Sequence, residues 1–250
     1  MDSDVPHLIF RSLHVLSGVM WVGQLWSLAL VLRVTPESSP DTTLAAMVLR
    51  AHQWHQWAAT STWLTGLPLL GIVYYSGGAV TPNQSLGLAT AVGLTALFVA
   101  VPLYEAVWSI LARRPAAAML LSLVLVAAAA SALTRVMTGR TVFVHLGAML
   151  ATIMLENVWR RIWPVEKRRL STTPGLVRPS LDEIESVVRR LRHNVVLSVA
   201  VILFMVSNHF PLLYGQSLAW LMAPIPLIVG WLVMTLVHRR PVLFVRATVH

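Results

Sequence analysis

The sequence predicts an all-α, polytopic membrane bundle of seven transmembrane helices, and three observations carry that prediction. Hydrophobic residues make up 56% of the 250 and charged residues only 12%, about half the charged fraction of a soluble domain. Mean hydropathy is +0.70. Apolar runs of the length that crosses a bilayer recur along the chain, separated by breaks rich in Pro, Gly, Ser, Asn and Arg. This composition excludes disorder, collagen-like repeats and coiled coil. The absence of cysteine excludes a disulfide framework, thiolate metal sites, iron–sulfur clusters and a covalently attached c-type haem.

The chain reads as one transmembrane domain over residues 1–250, with spans at about 8–32, 54–75, 86–111, 116–135, 141–163, 194–214 and 218–238. The first span follows Asp2 and Asp4 with no basic leader before it, which predicts a retained helix rather than a cleaved signal peptide. Thr35-Pro36 with Ser39-Pro40 closes it, and Ser76-Gly77-Gly78 with Pro82-Asn83 closes the second. Arg113-Arg114-Pro115 separates the third span from an Ala-rich fourth that suits close helix packing. The long 164–192 connection carries Ser180-Leu181-Asp182-Glu183, a capping box. Leu181, Ile184, Val187, Val188 and Leu191 then repeat at helical spacing, so a short amphipathic helix is expected to run into the sixth span. Asn208-His209-Phe210-Pro211 ends that span.

Sixteen of the nineteen Lys and Arg residues fall on the 33–53 side of the predicted membrane, and only Arg11, Arg135 and Arg140 fall on the other. The positive-inside rule therefore predicts an outer N-terminus, a cytoplasmic C-terminus and a bacterial inner-membrane location. The net charge of +9 is assigned to lipid headgroups of the bilayer and not to nucleic acid.

Ionisable groups inside a span are costly and mark candidate function. Depth sorts them into two layers. His14, His145 and His209 fall in the outer half on three different helices, while His52, His55, Glu105, Glu156, Asn157, His193 and Asn194 lie toward the inner face. Neutral imidazole is a usual axial ligand of b-type haem in helical bundles. His14 and His145 are the preferred iron ligands, with His209 as an alternate. Gly18 and Trp21 share the face of His14, Met149 follows His145 by four residues, and Arg140 is placed to hold a propionate. The alternative is that the histidines bond backbone carbonyls within the bundle. His193 and His209 stand sixteen residues apart, about 160° around an ideal helix, so they do not serve one site. Glu105 and Glu156 read either as proton-transfer groups or as structural partners of Arg113 or Arg160. His52 and His55, beside Trp54 and Trp57, read as a ligand face or as an interfacial anchor, with the anchor favoured.

Several stretches together resemble the membrane domain of bacterial cytochrome-c-coupled urate oxidases. They are Gly139-Arg140 through Val144-His145-Leu146-Gly147 to Met154, then Asn157-Val158-Trp159 and Ile162-Trp163-Pro164. Arg192-His193-Asn194 and Val201 to Pro211 form a second match, Leu13-His14 with Gly18, Trp21, Val22 and Gly23 a third, and Thr62-Trp63-Leu64-Thr65-Gly66 with Tyr74-Tyr75 a fourth. The resemblance implies an inner-membrane oxidoreductase passing electrons from a substrate, urate in that family, towards cytochrome c. Two departures stand out. The family's Trp-Glu-Ala-Tyr is Trp57-Ala58-Ala59-Thr60 here, and no cytochrome c domain is expected in this cysteine-free chain.

Three functions follow as expectations. The first is a redox membrane protein holding haem b in the outer half and relaying electrons to a separate periplasmic cytochrome c or partner subunit. The second is a urate or purine oxidase that uses a separate cytochrome c chain. The third is a non-redox assembly or anchoring subunit of a membrane complex.

Overall fold

A computed structural model describes residues 4–34, 42–76, 85–171, 175–215 and 219–239. The breaks expected at Thr35–Pro40 and Gly77–Asn83, and Arg240 and Arg246 of the basic tail, lie outside the described residues. The described residues are helical almost throughout. Five helices are long and apolar enough to cross a membrane: 4–30, 86–110, 115–133, 139–170 and 220–237. They make this a multi-pass membrane protein.

The helices run α1 (Asp4–Val34), α2 (Thr42–Leu69), α3 (Leu86–Ile110), α4 (Pro115–Leu133), α5 (Gly139–Glu156), α6 (Trp163–Leu170), α7 (Leu181–Val206), α8 (Pro211–Tyr214), α9 (Ala219–Met222) and α10 (Ile225–Arg239). Helix α2 starts well before the expected residue 54. It and α7, the second and sixth predicted spans, are absent from the apolar set, and their sequences show why. The first half of α2 carries His52, Gln53, His55 and Gln56, and the first three turns of α7 are charged. His52, His55 and Gln56 of α2 and Asn194 of α7 are buried in the bundle, whereas Gln53, Asp182, Glu185, Arg189 and Arg192 are exposed.

Two wide π turns interrupt the long helices, each next to a proline. Pro68 lies just before the π turn Leu70–Tyr75, where the Ser76 N–H reaches the Gly71 carbonyl at 2.9 Å. Pro164 follows the π turn Asn157–Ile162, where the Trp163 N–H reaches Val158. A proline lacks the N–H that would bond four residues back, and the ladder widens to accommodate it. Ser180 caps α7 by accepting from the Glu183 N–H while Glu183 returns a bond to the Ser180 N–H, which is the box the sequence predicts.

Helix α5 is the axis of the bundle. Its membrane-length window is 78% buried, against 17–28% for the other four, and it packs on α2, α3, α4 and α7. Helix α1 lies on α2 and α7, and α10 lies on α7. Leu8, Val19, Ile110, Leu120 and Leu236 project outward, each at least 64% exposed, as a lipid-facing surface requires.

Candidate functional site

The outer histidines take different surroundings. His14 donates from Nδ1 to the Thr62 carbonyl at 2.8 Å and lies on Gly66, where an added Cβ would stand 2.9 Å from its Cε1. His145 is fully buried. It donates from Nδ1 to the Thr141 carbonyl at 2.8 Å, and its Nε2 accepts from the Tyr75 hydroxyl at 2.7 Å. Gly93 of α3 closes this contact, since a Cβ there would stand 2.5 Å from the Tyr75 hydroxyl and 2.9 Å from His145 Nε2. His209 sits in a 3-10 turn after α7 and is exposed.

The half-buried His14 and the buried His145 thus both carry their proton on Nδ1, the tautomer that frees Nε2 to bind iron. The rest of the geometry does not fit a shared haem. Along α2 and its π turn, the partners of His14 (Thr62, Gly66) and of His145 (Tyr75) lie nine to thirteen residues apart, roughly 14–20 Å at helical rise. Axial ligands of one iron must meet across a single atom. The Nε2 of His145 is already occupied by a phenol. Gly18 accommodates α2, with its Cβ position 3.7 Å from the Thr62 methyl, and Trp21 is packed 2% exposed in the core. Met149 packs against the core clusters, and the Arg140 guanidinium lies 5.8 Å from the centre of the Tyr74 ring. Among the described residues, no three of His, Asp and Glu gather as metal ligands.

The inner layer forms a connected polar network where α3, the second π turn and α7 meet. Arg190 grips Glu105 with both terminal nitrogens, at 2.6 and 2.8 Å, and Arg161 adds a bond at 3.1 Å. The partners of Glu105 are therefore Arg190 and Arg161, where adjacency in sequence suggested Arg113. Arg190 also donates to Asn157 Oδ1 at 3.1 Å, Asn157 donates to Asn194 Oδ1 at 2.8 Å, and Asn194 donates to the Met154 carbonyl at 3.1 Å. Tyr104 sits 2.7 Å from His193 Nδ1, under the Arg190 guanidinium, and the Trp108 ring lies 4.0 Å from the His193 ring. Arg190 precedes His193 and Asn194 by three and four residues on one helix face, a spacing that could have exposed it in the sequence.

Glu156 ion-pairs with Arg160 at 2.8 Å, as the structural reading expected, and it also lines a cleft. That cleft, about 340 Å³, opens between α2, α3 and α5, with Trp63, Phe98, Pro102, Thr152 and Glu156 among its walls. The Trp63 indole donates to the Thr152 hydroxyl at 3.0 Å, and the Trp63 and Phe98 rings meet edge to face at 6.4 Å. His145, Thr152 and Glu156, at offsets of seven and eleven residues, form one polar stripe down α5 that ends in this cleft.

His52 and His55 correct the interfacial-anchor expectation. They are 2% and 0% exposed, while Trp54 and Trp57 are 60% and 59% exposed. The helix turns its imidazoles inward and its indoles outward. His52 Nε2 stands 3.5 Å from a carboxylate oxygen of Glu166 on α6.

Compared with known proteins, residues 41–242 match the family model described as urate oxidase N-terminal. No curated protein and no solved structure matches the chain.

Proposed function

Because the chain belongs to the urate oxidase N-terminal family, we propose that it is a membrane oxidoreductase module that oxidises a urate-like oxopurine and hands the electrons to a separate cytochrome c. The cleft lined by Glu156 is the geometric observation that carries this reading. Its volume lies in the range of small-molecule sites. Trp63 and Phe98 offer aromatic walls to a flat ring, and Thr152 and Glu156 offer polar contacts at its edge. Withdrawing two electrons from such a ring releases protons, and two one-electron carriers take the electrons. Glu156 is placed to accept a proton, and Arg160 beside it stabilises the anionic substrate or carboxylate. The network of Glu105, Arg190, Tyr104 and His193 supplies the inner proton-exchanging groups.

In this reading seven helices span the membrane with the N-terminus outside, so that α2 and α7 also cross the inner membrane of a bacterium and the cytochrome docks at the outer face. His14, whose ring is oriented by its Nδ1–H bond to the Thr62 carbonyl, is the residue that would hold a haem b, which would supply one-electron transfer.

One observation favours a second reading, an assembly or anchoring subunit. His14, His145 and His193 all bond inside the bundle. The two readings part in one assay. Membranes containing the chain and a soluble cytochrome c are given urate, and cytochrome reduction is followed optically. Substrate-dependent reduction that Glu156→Gln abolishes supports the oxidase. Unchanged cytochrome together with co-purifying membrane subunits supports the anchor.

A further inference from the structure

Five nitrogen atoms at the junction of α1, α2 and α6 are buried without a well-formed hydrogen bond: Trp21 Nε1, His52 Nε2, both ring nitrogens of His55, and Gln56 Nε2. The four side chains are 0–3% exposed. His52, His55 and Gln56 occupy neighbouring positions on one side of α2, and His55 stands against Trp21 of α1. His52 reaches Glu166, itself 1% exposed and held by Arg169 at 2.8 Å. Buried polar atoms are satisfied in the great majority of cases, by protein or by ordered water. Trp21 Nε1 and Gln56 Nε2 have no acceptor, and His52 and His55 have only the contacts to Glu166 and to the Trp21 backbone, so the cluster calls for an occupant.

The donor and acceptor inventory selects it. The indole and the Gln56 amide nitrogen only donate, whereas neutral His55 offers one N–H and one lone pair. A metal ion gains nothing from an indole N–H or an amide NH2. An anion satisfies the donors and leaves the imidazole lone pair empty. Water accepts and donates, and a buried water typically holds about three such bonds.

We propose that this junction is a built internal water site, in which ordered waters bridge Trp21, His55, Gln56 and His52 and join the Glu166–Arg169 pair to the α1–α2 interface. It lies apart from the Glu156 cleft and does not depend on the oxidase reading. It places exchangeable protons deep beside the first two helices.

Radiolytic hydroxyl-radical footprinting of the full chain in lipid nanodiscs tests it, because side chains touching bound water are labelled even when they are closed to bulk solvent. After correction for intrinsic reactivity, Trp21 and His55 are expected to label about ten times faster than Phe204 and Met154, which are equally buried in an apolar setting. Labelling of Trp21 and His55 at the rate of those two residues overturns the proposal. In Gln56→Leu/His55→Phe, which removes three of the five atoms, Trp21 labelling is expected to fall to the Phe204 level. Persistence of fast Trp21 labelling in a variant that keeps the wild-type melting temperature overturns it as well.

Discussion

Tyr75, His145 and Gly93 show how tightly single residues are set in this bundle. The phenol–imidazole contact at 2.7 Å exists because α3 presents no Cβ at position 93. Gly93→Ala is expected to push the Tyr75 hydroxyl off His145 and lower stability by about 1–3 kcal/mol, read from thermal unfolding in detergent. His145→Ala is expected to show in that same melt and to leave the visible absorption of the purified chain unchanged, because the Nε2 of His145 binds a phenol. At the inner layer, Arg190→Met strips Glu105 of its two-pronged partner and leaves Asn157 Oδ1 without its donor. Arg161 remains on Glu105, so the expected loss is about 2 kcal/mol, within the range for a charged hydrogen-bonded group losing its partner. Arg190→Lys is expected to restore only part of it, since an ammonium cannot form the paired contact. The sequence exposed which residues were costly in a membrane, because cost depends on residue type and depth. It could not expose partners. His14 and His145 share a predicted layer, yet each turns to a different neighbour.

Elements were legible where local chemistry sets them. The capping box at Ser180–Glu183 forms as its spacing predicts. Ser180→Ala is expected to cost about 1 kcal/mol at neutral pH. The Arg168 guanidinium, then the Ser180 N–H, hold the Glu183 carboxyl below its ordinary value of 4.5. Because the folded-state value is the lower one, the contribution of Glu183 is complete above that ordinary value. It fades as pH falls through the depressed one. Unfolding midpoints of wild type and Glu183→Gln, which lacks the titrating carboxylate, are thus expected to draw closer between pH 7 and pH 3. Packing between elements was less legible. Gly230 of α10 rides directly on the Val196 carbonyl of α7, whereas Gly147 of α5 meets only the side chains of Met205 and Phe204, near 3 Å. Gly230→Ala is expected to destabilise more than Gly147→Ala in the same melt, because side chains yield and a helix backbone does not. The π turns were not legible at all, although Pro68 and Pro164 mark them in retrospect.

At the scale of the whole molecule, the all-α membrane architecture followed from composition, and the family match over residues 41–242 bears out the resemblance carried by the fifth- and sixth-span motifs. Helices α2 and α7 fall outside the apolar set because of the polar first half of α2 and the charged first turns of α7, of which only His52, His55, Gln56 and Asn194 are buried in the bundle. The cleft was half visible: the helical stripe from His145 through Thr152 led to Glu156, while Phe98 comes from α3 and adjoins the stripe only after folding. The central claim is that this cleft oxidises an oxopurine on behalf of an external cytochrome. Stopped-flow reduction of ferricytochrome c by purified protein in nanodiscs, with urate added, tests it most directly. The account predicts urate-dependent reduction with two cytochromes reduced per urate consumed, slowed at least about 100-fold by Glu156→Gln. No urate-dependent reduction by the folded protein, or an undiminished rate in Glu156→Gln, would contradict it.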